Sequence, residues 1–241
     1  MISEPRAVAQ ALQVEIWSDV VCPWCYIGKR RFERAVAAFG EPVEVVWHSY
    51  ELNPGAPPVI EGSSVERIAR KYGISVERAE AQYHRITELA REEGLDYHLE
   101  RARSGRSFDA HRLLHLAQER GIQDAVKERF LAGYLEEGVA IGLPDELAPL
   151  AVAAGLDAAE VDAVLAGDTY GEAVRADEAR AEEIGITGVP FFVVDGRFAI
   201  PGAQDPETIL AVLERAREKR APQIVEGVDA AAFCEGDGCE I

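Results

Sequence analysis

The spacing of apolar positions changes character along this chain, and each change predicts an element. Val14-Glu15-Ile16-Trp17 is β-branched and aromatic with a single charge, a short buried strand. From Tyr26 onward Ile27, Phe32, Ala35, Val36 and Phe39 recur at the spacing that gathers side chains on one helix face. Val43-Glu44-Val45-Val46-Trp47-His48-Ser49-Tyr50 then alternates as a second strand. Strand–helix–strand in this order predicts a right-handed parallel crossover. Asn53-Pro54-Gly55-Ala56-Pro57-Pro58 breaks regular structure and leads out of this first half.

The next stretch, well over 100 residues, reads as helix after helix. Ser63 with Glu66 has capping-box spacing and predicts a helix to about Tyr72. Ser75 caps the next, whose buried stripe is Ala79, Tyr83, Ile86, Leu89 and Ala90, ending at Gly94. A helix follows Ser107 as far as Gly121, and another spans roughly 123–137 and stops at Gly138. Asp157 with Glu160, and Thr169 with Glu172, mark two more starts, the second helix ending near Gly185. Strand chemistry then returns. Gly188-Val189-Pro190 leads into Phe191-Phe192-Val193-Val194, and Asp195-Gly196 separates that run from Arg197-Phe198-Ala199-Ile200, a strong hairpin signal. Asp205 opens a last amphipathic helix through Ile209, Leu210, Val212 and Leu213.

The fold class expected is therefore α/β, a thioredoxin fold interrupted by an all-helical insertion. Residues 14–62 and 185–220 form the discontinuous thioredoxin-fold domain, and 63–184 the insertion. Residues 221–241 are expected to form an acidic, flexible tail, which carries Cys234 and Cys239 at CX4C spacing.

The strand-to-helix junction holds the candidate chemistry, Cys22-Pro23-Trp24-Cys25. Cys22 falls at the helix N-terminus, with Pro23 at the first helical position, where its missing N–H costs nothing. The partial positive charge of that terminus favours a thiolate, so Cys22 is expected to have a lowered pKa and Cys25 a higher one. A nucleophilic Cys22 and a resolving Cys25 make a dithiol that can exchange disulfides. Zinc is the rival use of such a pair. It needs four ligands, usually presented by hairpins and loops, which this setting is not, so no metal is expected.

Charge narrows the partners. The chain has 241 residues, with 25 basic against 43 acidic side chains and a formal net charge of −18, which repels phosphate backbones and anionic membranes. Neither nucleic acid nor membrane is expected as a partner, and no 18-residue apolar run is present to span a bilayer. No secretory signal is visible at the N-terminus, so a cytoplasmic, reducing setting is expected, which favours catalytic over structural disulfides.

Several stretches resemble the DsbA family of thiol oxidoreductases, and most of all its signal-less FrnE-like subgroup. They are Asp19-Val20-Val21-Cys22-Pro23-Trp24-Cys25-Tyr26-Ile27-Gly28, Ser107-Phe108-Asp109-Ala110-His111-Arg112-Leu113, Gly188-Val189-Pro190-Phe191-Phe192 and Pro201-Gly202-Ala203-Gln204. The resemblance runs from Val14 to about Arg220, and departs from exported members in lacking a signal and in carrying Pro-Trp between the cysteines. It implies a cis Val189–Pro190 bond facing the cysteines, with the Val189 backbone open to pair with an extended substrate. It also implies that the Phe108–Leu113 stretch lines a groove between insertion and sheet. Trp24 is expected to be partly exposed beside the thiols, as an apolar contact for substrate or as packing over the helix start.

The leading function is then exchange of protein or small-molecule disulfides by Cys22 and Cys25, with Pro190 as part of the catalytic site. No bound cofactor is needed, and glutathione stays open as a co-substrate. The alternative is a glutathione-dependent isomerase or transferase of the 2-hydroxychromene-2-carboxylate isomerase or kappa type, relatives that generally carry Ser at the first cysteine. His111 and His115, four apart on one helix, could share a metal but lack a His-Glu-x-x-His pattern, and core or surface roles are favoured. For Cys234 and Cys239 an accessory redox pair is favoured over incidental thiols, because a glycine-rich spacer lets the sulfurs meet. Oligomeric state is not legible.

Overall fold

The structure is a computed structural model and describes residues 11–220; Cys234 and Cys239 lie outside them. Strand β1 (Leu12–Ser18) runs into helix α1 (Pro23–Phe39), and β2 (Val43–Ser49) returns parallel to β1, Leu12 opposite Val43 through Ser18 opposite Ser49. Seven helices follow: α2 (Ser64–Tyr72), α3 (Val76–Glu92), α4 (Phe108–Glu119), α5 (Gln123–Leu135), α6 (Pro144–Ala153), α7 (Ala158–Ala166) and α8 (Gly171–Glu183). The chain closes with β3 (Phe191–Val194), β4 (Phe198–Pro201) and α9 (Pro206–Arg220). Sheet order is β2-β1-β3-β4, with β3 antiparallel to both neighbours. The β3–β4 hairpin turns at Asp195 and Gly196, φ 54° and 64°, the doubly positive pair that a tight hairpin requires.

Alternation along β1 divides the packing. Val14 and Ile16 face Phe192, Val194 and Ile200 and are covered by Phe32, Ala35 and Phe39 of α1 and Ile209, Leu213 and Ala216 of α9. Trp17 points to the other face, against Ala181 of α8 and Ile186. The remaining large core belongs to the helices between β2 and β3, and Val20, Cys22, Cys25, Tyr26 and Ile27 are part of it. The start of α1 thus sits at the seam between sheet and helical block.

Ser63, Ser75 and Asp157 cap their helices as their spacing predicts, accepting from the N–H groups of Glu66, Arg78 and Glu160. Thr169 does not. Helix α8 starts at Gly171, after Tyr170 in a left-handed conformation. Tertiary contacts outweigh local capping there: the Thr169 carbonyl accepts from Arg112 and the Tyr170 hydroxyl donates to Glu119. Helix α6 was not predicted. Pro144 suits its first turn, but Pro149 lies inside it, where a proline ordinarily reads as a break. The proline-rich segment after β2 is fixed by the helical block: Ile60 N–H donates to Ser104 O at 2.8 Å and Arg106 N–H to Pro57 O at 2.9 Å. A Cβ at Gly105 or Gly142 would lie 1.9 or 2.0 Å from the Pro58 carbonyl oxygen, so this approach requires glycine at both.

Helix α8 is clamped to β2 by Asp177. Its carboxylate accepts from Ser49 N–H at 2.8 Å and lies 2.6 Å from His48 Nδ1 and 3.3 Å from His115 Nε2. Burial pushes the Asp177 pKa up, but hydrogen bonds from His115, His48 and Ser49 outweigh it and hold it well below the usual carboxylate range. The folded pKa is depressed, so the stabilisation is present above the unfolded value of about 3.9 and is lost as pH falls through the folded one. Asp177→Asn should cost about 1–3 kcal/mol at neutral pH and flatten the acid limb of the stability curve. Urea unfolding from pH 6 down to 3 measures this, and parallel curves for the two proteins would contradict it.

Candidate active site

Cys22 caps α1 in an extended conformation, φ −93° and ψ 115°, and Pro23 occupies the first turn. The Cys22 N–H donates to Asp19 O at 3.3 Å and the Cys25 N–H to Cys22 O at 3.0 Å, winding the four residues into the helix start. Both thiols are free and nearly enclosed, Cys22 4% and Cys25 1% exposed, while Trp24 between them is 38% exposed. Tyr97, from the segment after α3, donates its hydroxyl to Pro23 O at 2.6 Å and ties the turn to the helical block. Opposite Cys22 stands the loop into β3. The Val189–Pro190 peptide bond is cis, and the Val189 carbonyl accepts from the Cys22 thiol at 3.6 Å.

Gly28 sets the spacing between α1 and this loop. A Cβ at residue 28 would lie 2.8 Å from Pro190 Cγ, too close for either to stay in place. Gly28→Ala gains about 0.5–1 kcal/mol of helix propensity and meets an overpacking cost of about 1–3 kcal/mol. Net destabilisation and slower turnover are expected, read by thermal melting and activity. A variant that melts higher than the parent would contradict the contact.

Beneath the cysteines lies a buried polar floor. Asp19, fully buried, accepts from Leu52 N–H at 2.8 Å and Val21 N–H at 3.3 Å, and lies 3.4 Å from His111 Nε2. Burial raises the Asp19 pKa, but His111, the Leu52 N–H and the Ser107 hydroxyl bring it below the ordinary value; burial lowers that of His111. Lys127 of α5, also fully buried, donates to Ser18 O at 3.3 Å and sits 5.5 Å from the Trp47 ring centroid. Burial pulls its pKa down to about 8.

The two thiols titrate as a pair, and the groups around them favour ionisation of Cys25 over Cys22, opposite to the order expected from the helix terminus alone. The hydrogen bond to Cys25, then burial, raise the Cys22 pKa well above the ordinary thiol value. Burial works against ionisation of Cys25 too, but the hydrogen bond from Cys22, the Lys127 ammonium and the Ser18 hydroxyl outweigh it and lower its pKa. The Cys25 backbone N–H acts the other way on Cys22, as a helix start should, and is outweighed. The helix terminus therefore loses to a cation and a hydroxyl on the other side of the pair.

Of the residues singled out from sequence, Cys22, Trp24, Cys25, Val189 and Pro190 belong to the two facing segments just described. His111 and His115 point to different partners, Asp19 for the first and Ser49 with Asp177 for the second. Within Phe108–Leu113, His111 reaches the site floor, and Arg112 holds the α7–α8 connection. Sequence reasoning missed Asp19, Lys127, Tyr97 and Gly28 as site residues. A carboxylate among apolar neighbours three before Cys22 is a usable signal for Asp19. Lys127 lies between Val126 and Glu128 with nothing local to single it out.

Residues 13–214 match the model of the DSBA-like thioredoxin domain family. A crystal structure of a probable DsbA oxidoreductase from Streptomyces coelicolor is 43% identical, with TM-score 0.83 over 95% of this chain and 99% of that one. The uncharacterized protein YwbO of Bacillus subtilis is 28% identical over 87% of this chain and 99% of its own. The cytosolic disulfide reductase DsbM of Pseudomonas aeruginosa, solved with GSH, shares the fold at 18% identity and TM-score 0.59, over 86% of this chain and 100% of that one. Among the described residues, no helix is long and apolar enough to cross a membrane.

Proposed function

Because this chain belongs to the DSBA-like thioredoxin domain family, we propose that it is a thiol–disulfide oxidoreductase of the FrnE-like type, working through Cys22 and Cys25. The observation that carries this reading is the pair of free thiols at the start of α1, with Cys22 facing the Val189 carbonyl at 3.6 Å. Cys22 is the nucleophile. It is the less enclosed thiol and lies beside exposed Trp24, and the Cys25 thiolate takes its proton as the sulfur attacks an incoming disulfide. A mixed disulfide forms on Cys22 and one substrate thiolate leaves, reprotonated from Cys25. The Cys25 thiolate then attacks Cys22 Sγ, closing the Cys22–Cys25 disulfide and releasing the second substrate thiolate. Two electrons and one proton pass to the substrate, and the reverse sequence oxidises a dithiol.

Trp24 and the Val189 backbone supply contacts for an extended substrate, and Pro190 holds the loop opposite the thiols. A kappa-type or isomerase reading borrows its thiol from glutathione and does not use the protein's own pair. The assay that separates the two is reduction of a protein disulfide followed by turbidity, against glutathione-dependent isomerisation. Catalysed reduction is expected, and isomerisation that survives loss of Cys22 would move the assignment to the second class. Cys234 and Cys239 enter the proposal as an accessory pair exchanging with the active site. Cys234→Ser/Cys239→Ser should slow turnover and remove a tail–Cys22 disulfide trapped in Cys25→Ser. Unchanged turnover without any such linkage would return them to incidental thiols.

A further inference from the structure

Lys127 is a buried cation without a carboxylate. Its side chain is fully enclosed, its one hydrogen bond is the 3.3 Å donation to Ser18 O, and no ion pair within 4.0 Å reaches it among the described residues. An ammonium has three N–H groups to satisfy, and burying one unpaired costs several kcal/mol, about enough to neutralise it. Of the acids beside it on its own helix, Asp124 is bonded to Lys29 and to the Trp47 indole, and Glu128 to Lys29, Arg30 and Tyr26. On the β1–α1 connection Asp19 takes backbone N–H groups and faces His111 of α4. That leaves the dithiol at the start of α1. Ser18 links the two: its carbonyl binds Lys127, and its hydroxyl, buried with no partner in hydrogen-bond geometry, is close enough to Cys25 to act on it.

We propose that Lys127 is a positioning residue for the redox reaction, the counter-charge that holds the Cys25 thiolate and so sets the ionisation and reduction potential of the pair. This rests on the oxidoreductase reading and deepens it, because it makes a helix of the inserted block part of the redox centre. Lys127 and Cys25 favour one another's charged forms, with Asp19 adding to the cation and Cys22 to the thiolate. When the disulfide closes, the thiolate charge disappears and the ammonium keeps only Asp19 and Asp124, at longer range. Its proton affinity must then fall. The reduced form, which alone has the thiolate–ammonium pair, is the form that Lys127 stabilises. Removing the charge therefore drives the couple toward the disulfide and slows resolution, since Cys25 is ionised less of the time once Cys22 is blocked.

The test uses the full chain. Lys127→Met keeps length and bulk without charge. Thiolate absorbance against pH should show the first ionisation of the pair displaced upward at least tenfold in proton affinity. Equilibration with glutathione buffers at pH 8 should shift at least tenfold toward disulfide, about 30 mV for this two-electron couple. A variant with altered melting but unchanged titration and potential would reduce Lys127 to a packing role and overturn the proposal. Should Lys127→Met fail to fold, the wild-type protein decides. Carbon-13 NMR of labelled lysine, with the pair reduced or oxidised by diamide, should give a Lys127 midpoint near 8 when reduced and at least tenfold weaker proton binding when oxidised. Equal midpoints would overturn the assignment. If diamide joins no Cys22–Cys25 bond, the oxidoreductase reading fails, and the thiol titration still decides whether Lys127 holds the thiolate.

Discussion

Replacing Cys22 with serine is expected to abolish disulfide exchange, a loss on the order of 10³-fold or more, as removal of a covalent nucleophile does. A hydroxyl in that place has no accessible oxyanion at neutral pH and cannot carry a mixed disulfide. Cys25→Ser should fail differently. Cys22 still attacks, but the base that takes its proton and the thiolate that resolves the intermediate are both gone. Long-lived mixed disulfides on Cys22 should accumulate, visible as mass adducts that dithiothreitol removes. Cys22→Ser should melt close to the wild type, whereas Cys25→Ser, which takes the counter-charge from buried Lys127, should melt lower. Substantial turnover in Cys22→Ser, or clean turnover without adducts in Cys25→Ser, would contradict the division of labour between the two thiols.

The second large effect lies away from the chemistry. Arg112 is almost fully buried and donates to three carbonyls at the end of α7 and the start of α8: Thr169 O at 2.8 Å, Gly167 O at 2.7 Å, and Val164 O. Asp109 pairs with it at 2.9 Å, and the Phe108 ring centroid lies 5.9 Å from its guanidinium and 4.4 Å from that of Arg175. Arg112→Met removes a charged donor set, leaves those carbonyls unsatisfied and leaves the Asp109 carboxylate with Arg106 alone. A loss of about 3–5 kcal/mol is expected. For a chain of this size that lowers the melting temperature by roughly 10 °C. Activity should fall with it, because His111, the preceding residue, contacts Asp19 under the cysteines. A melting point within about 2 °C of wild type would show that backbone carbonyls of this connection find other partners.

These cases mark what can be read along a chain. The strands, the crossover, the hairpin at Asp195-Gly196 and three capped helices were legible because their signals are local: alternation, turn chemistry, and a serine or aspartate ahead of a helical stripe, in two cases three before a glutamate. Thr169 carried the same local signal and was overridden, since Arg112 claims its carbonyl from 57 residues away. Helix α6 was missed because Pro149 argues against a helix that burial of Leu147, Leu150 and Ala151 imposes. At the site, Cys22 and Cys25 declare themselves by spacing. Which thiol ionises more readily does not, because the cation acting on Cys25 is Lys127, 102 residues further along the chain. Helix-terminus reasoning was sound as local physics and incomplete as an account of a buried pair. Gly28 is a similar case: its meaning lies in Pro190 opposite.

Redox titration of the wild-type protein tests the central claim most directly. The protein would be equilibrated across glutathione buffers, quenched by acid and alkylated, and the fraction of Cys22–Cys25 disulfide read from the linked peptide by mass spectrometry. The account predicts a single transition with the slope of a two-electron couple, in which the Cys22–Cys25 peptide appears as the free thiols vanish. A titration in which both cysteines remain alkylatable at every buffer ratio, or are glutathionylated without joining, would contradict it.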